Sequence, residues 1–346
     1  MLTVLGSLSF LDLLFGSESG NDADYYDAYA RGFADFATSF WPILLRKLYD
    51  MGLYSREGIT AFQLLLGVWL IPPLIGVLSV PKGLDSHFRR KALWFSAALL
   101  SLYPTLYVFT FDIYRDVTMM TIFLVALIIA WKLLESSKVN TQVLYTVPLI
   151  LVIWLLYLFR PYLGFSFTVS LGLALVLAKL RFDKQTIFVL FLIYIAALML
   201  AYQETTLLHP LLEYRGESGF DKGGSTFGLG LLGRSPLEFV LVFVLSFLFQ
   251  VFGLYLHSFK ALILFLFESL PFLFFTVQLL GRYKLPDTHT KFLLIFSVIY
   301  ATFFVLGNDN LGTAARLRLF VYVAIFIAWA RSTFKELGNQ RPGGQL

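Results

Sequence analysis

Residues 313–330 read TAARLRLFVYVAIFIAWA, and this stretch decides the fold class. No charged side chain occurs between Leu319 and Ala330. An α-helix over the whole stretch would rise by about 27 Å. That length approaches the roughly 30 Å hydrocarbon core that a membrane-spanning helix has to cross. The stretch is therefore predicted to span a membrane.

Similar apolar runs recur along the chain. They lie at residues 59–80, 92–111, 117–131, 143–159, 163–178, 186–202, 260–280, 292–306 and 313–330. Two further segments, residues 1–15 and 237–256, are ambiguous. The pattern predicts an all-α polytopic membrane protein with about 9 to 11 transmembrane helices. We expect residues 1–346 to form a single integral-membrane domain.

The composition agrees with this class. Of the 346 residues, 58% are hydrophobic and 14% are charged, against about 45–50% and 25% in soluble domains. The mean hydropathy is +0.76. A soluble enzyme, a secreted module and a disordered chain are excluded on these grounds. Because the chain has no cysteine, it cannot form a disulfide, a thiolate zinc site or a thiol nucleophile.

The distribution of charge predicts the orientation. Fifteen of the 27 Lys and Arg residues, but only five of the 22 acids, fall in five connectors. These connectors are residues 81–91, 132–142, 179–185, 281–291 and 331–346. Cytoplasmic loops of membrane proteins carry the excess of Lys and Arg. The connectors and the C-terminus are therefore predicted to be cytoplasmic, and the acidic remainder to face outward.

The two ambiguous segments affect the number of spans. Residues 1–15 are too short for a free-standing span and lack the basic start of a signal peptide, so they predict a truncated or an interfacial helix. If residues 237–256 and 260–280 both crossed, Lys291 and its basic neighbours would lie outside. We expect residues 237–256 to be re-entrant or surface-lying. The alternative is that both cross and the charge rule fails for one loop.

With this orientation the unusual polar segments all emerge on the outer side, as a site working at one membrane surface requires. Two are long, an acidic and amphipathic segment at residues 16–58 and a loop at residues 203–236. The polar stretches are GNDADYYDAYARGFAD (20–35), FDIYRD (111–116), FRPY (159–162), Gln203 to Pro236, and GNDNLGTAARLRL (307–319).

Three arginines are predicted to lie within the hydrocarbon layer. Arg318 is about 20 Å and Arg316 about 22 Å along the last helix from Arg331. Arg160 is about 26 Å along its helix from Val143. A guanidinium near the bilayer centre costs about 2.5 to 3.5 kcal/mol and is normally tolerated where it lines a polar cavity. The alternative is that these side chains extend outward to the headgroups.

The first outer segment predicts a helix whose carboxylates share one face. Asp22 can cap it, and Asp24, Asp27, Arg31 and Asp35 follow at helical spacing. Weak surface ion pairs would explain part of this pattern. They do not explain the interleaved tyrosines at positions 25, 26 and 29. The aromatic stretch from Phe36 to Tyr54 predicts a helix lying at the headgroups.

Metal and nucleotide chemistry have little support in the sequence. Gly228, Gly230 and Gly233 match a dinucleotide-binding pattern, but no β-strand precedes them. The four histidines are isolated, and no HExxH motif occurs. A divalent-ion site at Asp22 and its neighbouring acids would rest on charge alone. We predict neither a metal nor a cofactor.

Five motifs carry a resemblance to a known family. They are DADYYDAY (22–29), YRD (114–116), FRPY (159–162), EYR with FDKGGS (213–225), and RLRL (316–319). Together with the order of the segments, they resemble integral-membrane glycosyltransferases of the GT-C type. The chain looks most like the O-antigen and capsule polysaccharide polymerases of bacteria.

The resemblance implies an activity, a location and partners. A sugar would move from a polyprenyl-phosphate or polyprenyl-pyrophosphate carrier to an acceptor hydroxyl at the outer leaflet of the bacterial inner membrane. The partners would be the polyprenyl-linked saccharide, membrane lipid, and a chain-length regulator or another envelope-assembly protein. No nucleic acid is expected.

The resemblance and the chemistry also imply roles for individual residues. Asp24 is expected to be the base that accepts the acceptor proton, with Asp27 as the first substitute. Arg316 and Arg318, assisted by Arg160, are expected to bind the carrier phosphate. The expected substrate-binding residues are Asp22, Tyr25, Arg115, His209, Arg215, Asp221 and Lys222.

Two other functions compete with this one. The first is a transporter or flippase for a lipid-linked or anionic solute. Such proteins usually show internal repeats, which this sequence lacks. The second is a noncatalytic membrane subunit that docks partners through its aromatic surface. One-sided clustering of the polar segments favours the enzyme.

Overall fold

The structure is a computed structural model and describes residues 22–37, 39–136, 138–177, 184–204, 208, 211–213, 215, 226–281 and 287–339. Within these ranges all extended regular elements are helices, and the β pairing consists of an isolated bridge between Thr226 and Asn310. The predicted all-α class is confirmed. Residues 1–15 lie outside the described residues.

Thirteen helices are numbered here in chain order, two of them containing a π-helical segment. The first six are α1 Asp22–Arg31, α2 Phe40–Asp50, α3 Arg56–Ser79 with its π segment at Leu65–Leu70, α4 Ser86–Leu100, α5 Pro104–Val108 and α6 Arg115–Glu135. The next four are α7 Val139–Phe159, α8 Pro161–Val176, α9 Lys184–Gln203 and α10 Pro236–Phe252. The last three are α11, which runs from Phe259–Leu264 through the π segment Phe265–Ser269 into Leu270–Gly281, α12 Thr288–Gly307 and α13 Leu311–Asn339.

Within the described residues, seven helices are long and apolar enough to cross a membrane. They are α3, α6, α7, α9, α11, α12 and α13. Helices α8 and α10 are apolar but have only 16 and 17 residues. The chain is therefore a multi-pass membrane protein by the length and composition of its helices. The number of spans and their orientation stay predictions.

The predicted continuous span at residues 92–111 is wrong. Helix α4 ends at Leu100, and a separate short helix begins at Pro104. The residue before it, Tyr103, is extended, with φ −80° and ψ 106°. A proline disfavours the helical conformation in the residue that precedes it. Pro104 therefore prevents residues 92–111 from forming one continuous helix, although most of the neighbouring residues are apolar.

Helix α10 covers most of the ambiguous segment at residues 237–256. It begins at a capping box in which Ser235 and Glu238 satisfy each other's backbone amides. It ends at Gly253, which adopts a left-handed φ of 65°. The sequence thus sets both ends of the helix. Whether α10 is re-entrant stays a prediction.

The chain divides into two compact units. Unit 1 comprises Met1–Thr168 and Thr333–Leu346, and unit 2 comprises Val169–Ser332. The expected single domain stays a prediction. In unit 1 the buried core includes one face of α6 together with Trp41, whose indole N–H donates to the Ile113 carbonyl at 2.7 Å. In unit 2 helices α12 and α13 supply most of the buried side chains.

Helix α3 approaches its neighbours closely at its π segment. A Cβ atom at Gly67 would lie 2.5 Å from the Thr110 hydroxyl oxygen, which is closer than van der Waals contact allows. Glycine is therefore required here for space. The π segment is followed by Pro72 and Pro73, which cannot donate backbone hydrogen bonds. Wider turns of this kind are frequent at functional sites.

Candidate functional site

The first group of functional side chains in unit 1 is centred on Arg56, the first residue of α3. Its Nη1 donates to Asp24 Oδ1 in α1 at 2.7 Å. Its Nε and Nη2 donate to the two carboxylate oxygens of Asp112 at 3.0 and 2.6 Å. We call Asp24, Arg56 and Asp112 the Arg56 cluster. It joins the predicted segments 20–35 and 111–116.

The members of the Arg56 cluster differ in accessibility. The Asp24 side chain is 60% exposed, whereas those of Arg56 and Asp112 are 32% and 28% exposed. Asp112 accepts two parallel hydrogen bonds from the Arg56 guanidinium. This is the geometry in which guanidinium groups bind carboxylates most strongly. Asp24 receives one such bond and keeps its second oxygen for another partner. Of the two carboxylates, Asp24 is therefore the more accessible.

Asp27 lies one turn further along α1 and is held differently. Its Oδ1 accepts hydrogen bonds from the Tyr54 hydroxyl at 2.6 Å and from Arg31 Nε at 2.9 Å. Burial raises the pKa of Asp27, but these two hydrogen bonds and the charge of Arg31 outweigh it, so the pKa lies below its ordinary value. Burial and the hydrogen bond to Asp27 raise the pKa of Tyr54 above its ordinary range. Asp27 is thus an ionised carboxylate that already accepts hydrogen bonds from Tyr54 and Arg31.

The tyrosines of α1 form a partly exposed aromatic surface. The ring centroid of Tyr25 lies 5.6 Å from that of Tyr26 and 6.5 Å from that of Tyr29. Tyr26 is buried, whereas Tyr25 and Tyr29 are half-buried. The Tyr25 hydroxyl donates to the Phe36 carbonyl, which fixes the ring. Asp22 begins α1 and is half-buried.

A second group in unit 1 joins the motifs at residues 114–116 and 159–162. Asp116 and Arg160 are both buried, with 3.9 Å between their nearest charged atoms. The Arg160 guanidinium also lies over the Tyr162 ring, 5.6 Å from its centroid. Arg115 Nη1 donates to the Phe159 carbonyl at 3.4 Å. Unit 1 therefore links the polar stretches 20–35, 111–116 and 159–162 in two groups.

In unit 2 a buried ion pair connects Arg215 with Asp309. Arg215 Nη2 donates to Asp309 Oδ1 at 2.5 Å, and the two side chains are 4% and 1% exposed. Arg215 also donates to the carbonyls of Val305 and Leu229, each at 2.6 Å. The other Asp309 oxygen accepts from the Leu229 amide at 3.1 Å and the Thr226 hydroxyl at 3.2 Å. With so many partners inside the protein, this ion pair organises the fold around residues 226–229.

The second buried ion pair of unit 2 involves Arg318 of α13. Arg318 Nη2 donates to Glu268 Oε2 at 3.2 Å, and the side chains are 1% and 0% exposed. Glu268 belongs to the π segment of α11. A Cβ atom at Gly253 would crowd the Ser269 hydroxyl and lie 2.7 Å from Arg318 Nη1, and the positive φ of 65° also favours glycine there. The cost of burying Arg318 is thereby offset by a built-in counter-charge.

Arg316 differs from Arg318 in its surroundings. It is half-buried, whereas Arg318 is buried. Residues two positions apart on an α-helix do not face each other. The two guanidinium groups therefore leave α13 in different directions.

Three of the predicted substrate-binding residues, His209, Asp221 and Lys222, lie outside the described residues. Over the parts of the chain that the structure describes, no group of three or more His, Cys, Asp or Glu side chains is placed to hold a metal ion.

The structure adds to the candidate site several residues that were not singled out from the sequence. Asp112 and Asp309 were inside the quoted polar stretches but were not singled out. Arg56 was overlooked because a single arginine just before an apolar run looks like an ordinary boundary residue. Glu268 had a usable signal, since it is a lone carboxylate inside the apolar run 260–280 and such residues usually have a cationic partner.

Comparisons of the chain with models of known families, with curated proteins and with solved structures give no match. The resemblance drawn from the five motifs therefore stays a prediction, and the candidate site residues rest on the geometry within each unit taken by itself.

Proposed function

We propose that the protein is a membrane glycosyltransferase that takes sugar from a polyprenyl-phosphate or polyprenyl-pyrophosphate carrier. It would polymerise or extend a cell-surface polysaccharide at the outer face of the bacterial inner membrane. The observation that supports this most is the Arg56 cluster. It holds an exposed, charge-oriented carboxylate, Asp24, beside the tyrosines of α1 and at the start of a membrane-length helix.

Asp24 is the proposed general base. In the reaction, the acceptor hydroxyl oxygen bonds to the anomeric carbon as the bond from that carbon to the carrier phosphate oxygen breaks. The acceptor proton passes to the Asp24 carboxylate, and the carrier leaves as its phosphate. A base of this kind contributes about 10² to 10⁴ in rate. Tyr25 and Tyr29 would contact the apolar face of a sugar ring.

The geometry favours Asp24 over Asp27 for this role. Asp27 already accepts hydrogen bonds from Tyr54 and Arg31. The same bonds lower its pKa, and a carboxylate with a lowered pKa is a weaker base. Asp27 is better suited to positioning α1 against Tyr54.

Arg316, Arg318 and Arg160 are proposed as carrier-phosphate ligands. Guanidinium groups match phosphate oxygens in fork geometry and stabilise the charge that develops on the departing phosphate. Arg318 and Arg160 each have a carboxylate partner already. In unit 2 a phosphate at Arg318 would share it with Glu268, and in unit 1 a phosphate at Arg160 would share it with Asp116. Arg316 is the more accessible ligand of unit 2.

The test is a single-turnover incubation of the purified protein with a synthetic lipid-linked repeat unit, followed by mass analysis of the lipid products. We expect a lengthened glycan on lipid with the wild type and a loss of about 10² to 10⁴ in rate with Asp24→Asn. The matched control is Asp35→Asn, which removes an exposed carboxylate outside the Arg56 cluster and should retain the activity. Full turnover by Asp24→Asn would remove Asp24 from the mechanism.

A transporter or flippase for a lipid-linked or anionic solute is the second candidate. The Arg318–Glu268 pair favours it, because ion pairs between membrane-length helices mark transport pathways in many proteins. The non-helical stretch that follows Gly253 resembles the interrupted helices of such proteins. In reconstituted vesicles, transfer of the lipid substrate between leaflets without lengthening of its glycan would support this function over the enzyme.

A further inference from the structure

Helix α4 has a basic first half and an apolar second half, and it packs against Phe334. Its first half carries His87, Arg89, Arg90 and Lys91, and its second half is apolar. The rings of Phe88 and Phe95 contact that of Phe334 edge-on, with centroids 6.2 and 6.3 Å away. These contacts fix the rotation of α4 about its axis. Phe88 is buried by this contact, whereas Phe95 keeps 53% of its surface exposed.

The cations of α4 are exposed and lack acidic partners within the described residues. Arg89, Arg90 and Lys91 are all exposed. Of the acids near them, Asp85 caps the helix by accepting from the backbone amides of residues 87 and 88, each at 3.1 Å. Glu135 pairs with Lys82 at 2.5 Å. Three successive positive charges are thus left for a ligand.

Two large aromatic side chains lie one helical turn beyond these cations. Trp94 is 60% exposed and Phe95 is 53% exposed. Residues four apart lie on the same side of a helix. Trp94 therefore follows Arg90, and Phe95 follows Lys91. Tryptophan is enriched at the boundary between headgroups and hydrocarbon, where an apolar ring and a polar edge are both satisfied.

We propose that this surface, the α4 site of Arg89, Arg90, Lys91, Trp94 and Phe95, binds an anionic phospholipid. The lipid phosphate contacts the guanidinium and ammonium groups, and an acyl chain lies along the two exposed rings. Charge complementarity selects the headgroup, since a zwitterionic lipid carries no net charge for the three cations to neutralise. The inference does not depend on the proposed sugar-transfer activity.

The experiment uses the purified full chain in detergent and native mass spectrometry. Bound phosphatidylglycerol and phosphatidylcholine with identical acyl chains are counted over a titration of each lipid. Each cation near the lipid contributes about a fivefold gain in affinity. We expect the wild type to prefer phosphatidylglycerol, and the double variant Arg90→Gln/Lys91→Gln to lose about 25-fold of that preference.

The matched control is Lys132→Gln/Lys138→Gln, which removes two other exposed positive charges of unit 1, one in the last turn of α6 and one just before α7. This variant should keep the wild-type preference. Arg90→Lys, which retains the charge, should keep most of it. An equal loss in the control variant, or an unchanged preference in Arg90→Gln/Lys91→Gln, would show that the cations serve orientation in the membrane and would overturn the proposal.

Discussion

Removal of the Asp309 carboxylate should be among the most destabilising single changes in unit 2. In Asp309→Ala the buried Arg215 guanidinium keeps its two carbonyl partners but loses its counter-charge. The Leu229 amide also loses its acceptor. Breaking a buried ion pair by removing one partner costs about 3 to 5 kcal/mol. We therefore expect the free energy of unfolding to fall by about 4 kcal/mol.

A graded series separates the charge from the hydrogen bonds. Asp309→Asn keeps one acceptor oxygen and the side-chain shape, so we expect a smaller loss of about 1.5 to 3 kcal/mol. Arg215→Met/Asp309→Leu removes both charges, and should recover part of the loss because no uncompensated charge remains. The losses in the free energy of unfolding for Asp309→Ala and Asp309→Asn thus give an upper and a lower value for the contribution of the ion pair.

The assay is equilibrium unfolding of the purified protein by sodium dodecyl sulfate in mixed micelles, followed by tryptophan fluorescence. The control is Lys138→Ala, at an exposed position beside α7, which should change the free energy of unfolding by less than about 0.5 kcal/mol. If Asp309→Ala unfolds within 1 kcal/mol of the wild type, the pair is more hydrated than its burial indicates and the reasoning fails.

Three further predictions concern other contacts. Gly67→Ala should lower the free energy of unfolding by about 1 to 3 kcal/mol, because its Cβ would meet the Thr110 hydroxyl at 2.5 Å. The control is Gly172→Ala, whose Cβ would have no atom within 4 Å. In the same detergent titration this control should be neutral or stabilising. Glu268→Gln should lower the melting temperature more than Glu57→Gln at an exposed position, since it leaves Arg318 buried without its counter-charge; equal melting temperatures would refute this. The lowered pKa of Asp27 means that its contribution to stability is present above its unfolded pKa of about 4 and is lost as the pH falls through the lower folded pKa. Melting curves between pH 6 and pH 3 should therefore show wild type and Asp27→Asn converging at the acid end, and a constant difference would contradict the assignment.

The helical membrane class was predictable because each span is a local property of consecutive residues. The runs around residues 117–131 and 313–330 needed no knowledge of their neighbours. The break before Pro104 was also predictable from the sequence, because proline disfavours the helical conformation in the residue that precedes it. The sequence analysis gave more weight to the hydrophobicity of residues 92–111 than to the proline. That choice caused the error.

The partners of the polar side chains were not predictable in the same way. Arg56 meets Asp112 across 56 positions, and Arg318 meets Glu268 across 50. No spacing rule relates residues so far apart, because their separation is set by how whole helices pack. The sequence marked Asp24, Arg160, Arg215 and Arg318 as unusual. It did not indicate that each would have a carboxylate or guanidinium partner, and this changes which of them remain accessible to a ligand.

The π segment of α11 sets the direction in which its carboxylate points. A π turn holds one residue more than an α turn, and each residue of an α-helix is rotated by about 100° from the one before it. If the same residues, Phe265–Ser269, were wound as a regular α-helix with no change in length, the two ends of α11 would rotate relative to each other by about that angle. Glu268 and the side chains beyond Leu270 would then no longer face their present neighbours together. A local change in helical winding, with no change in hydrophobicity, is therefore enough to separate the acid from Arg318.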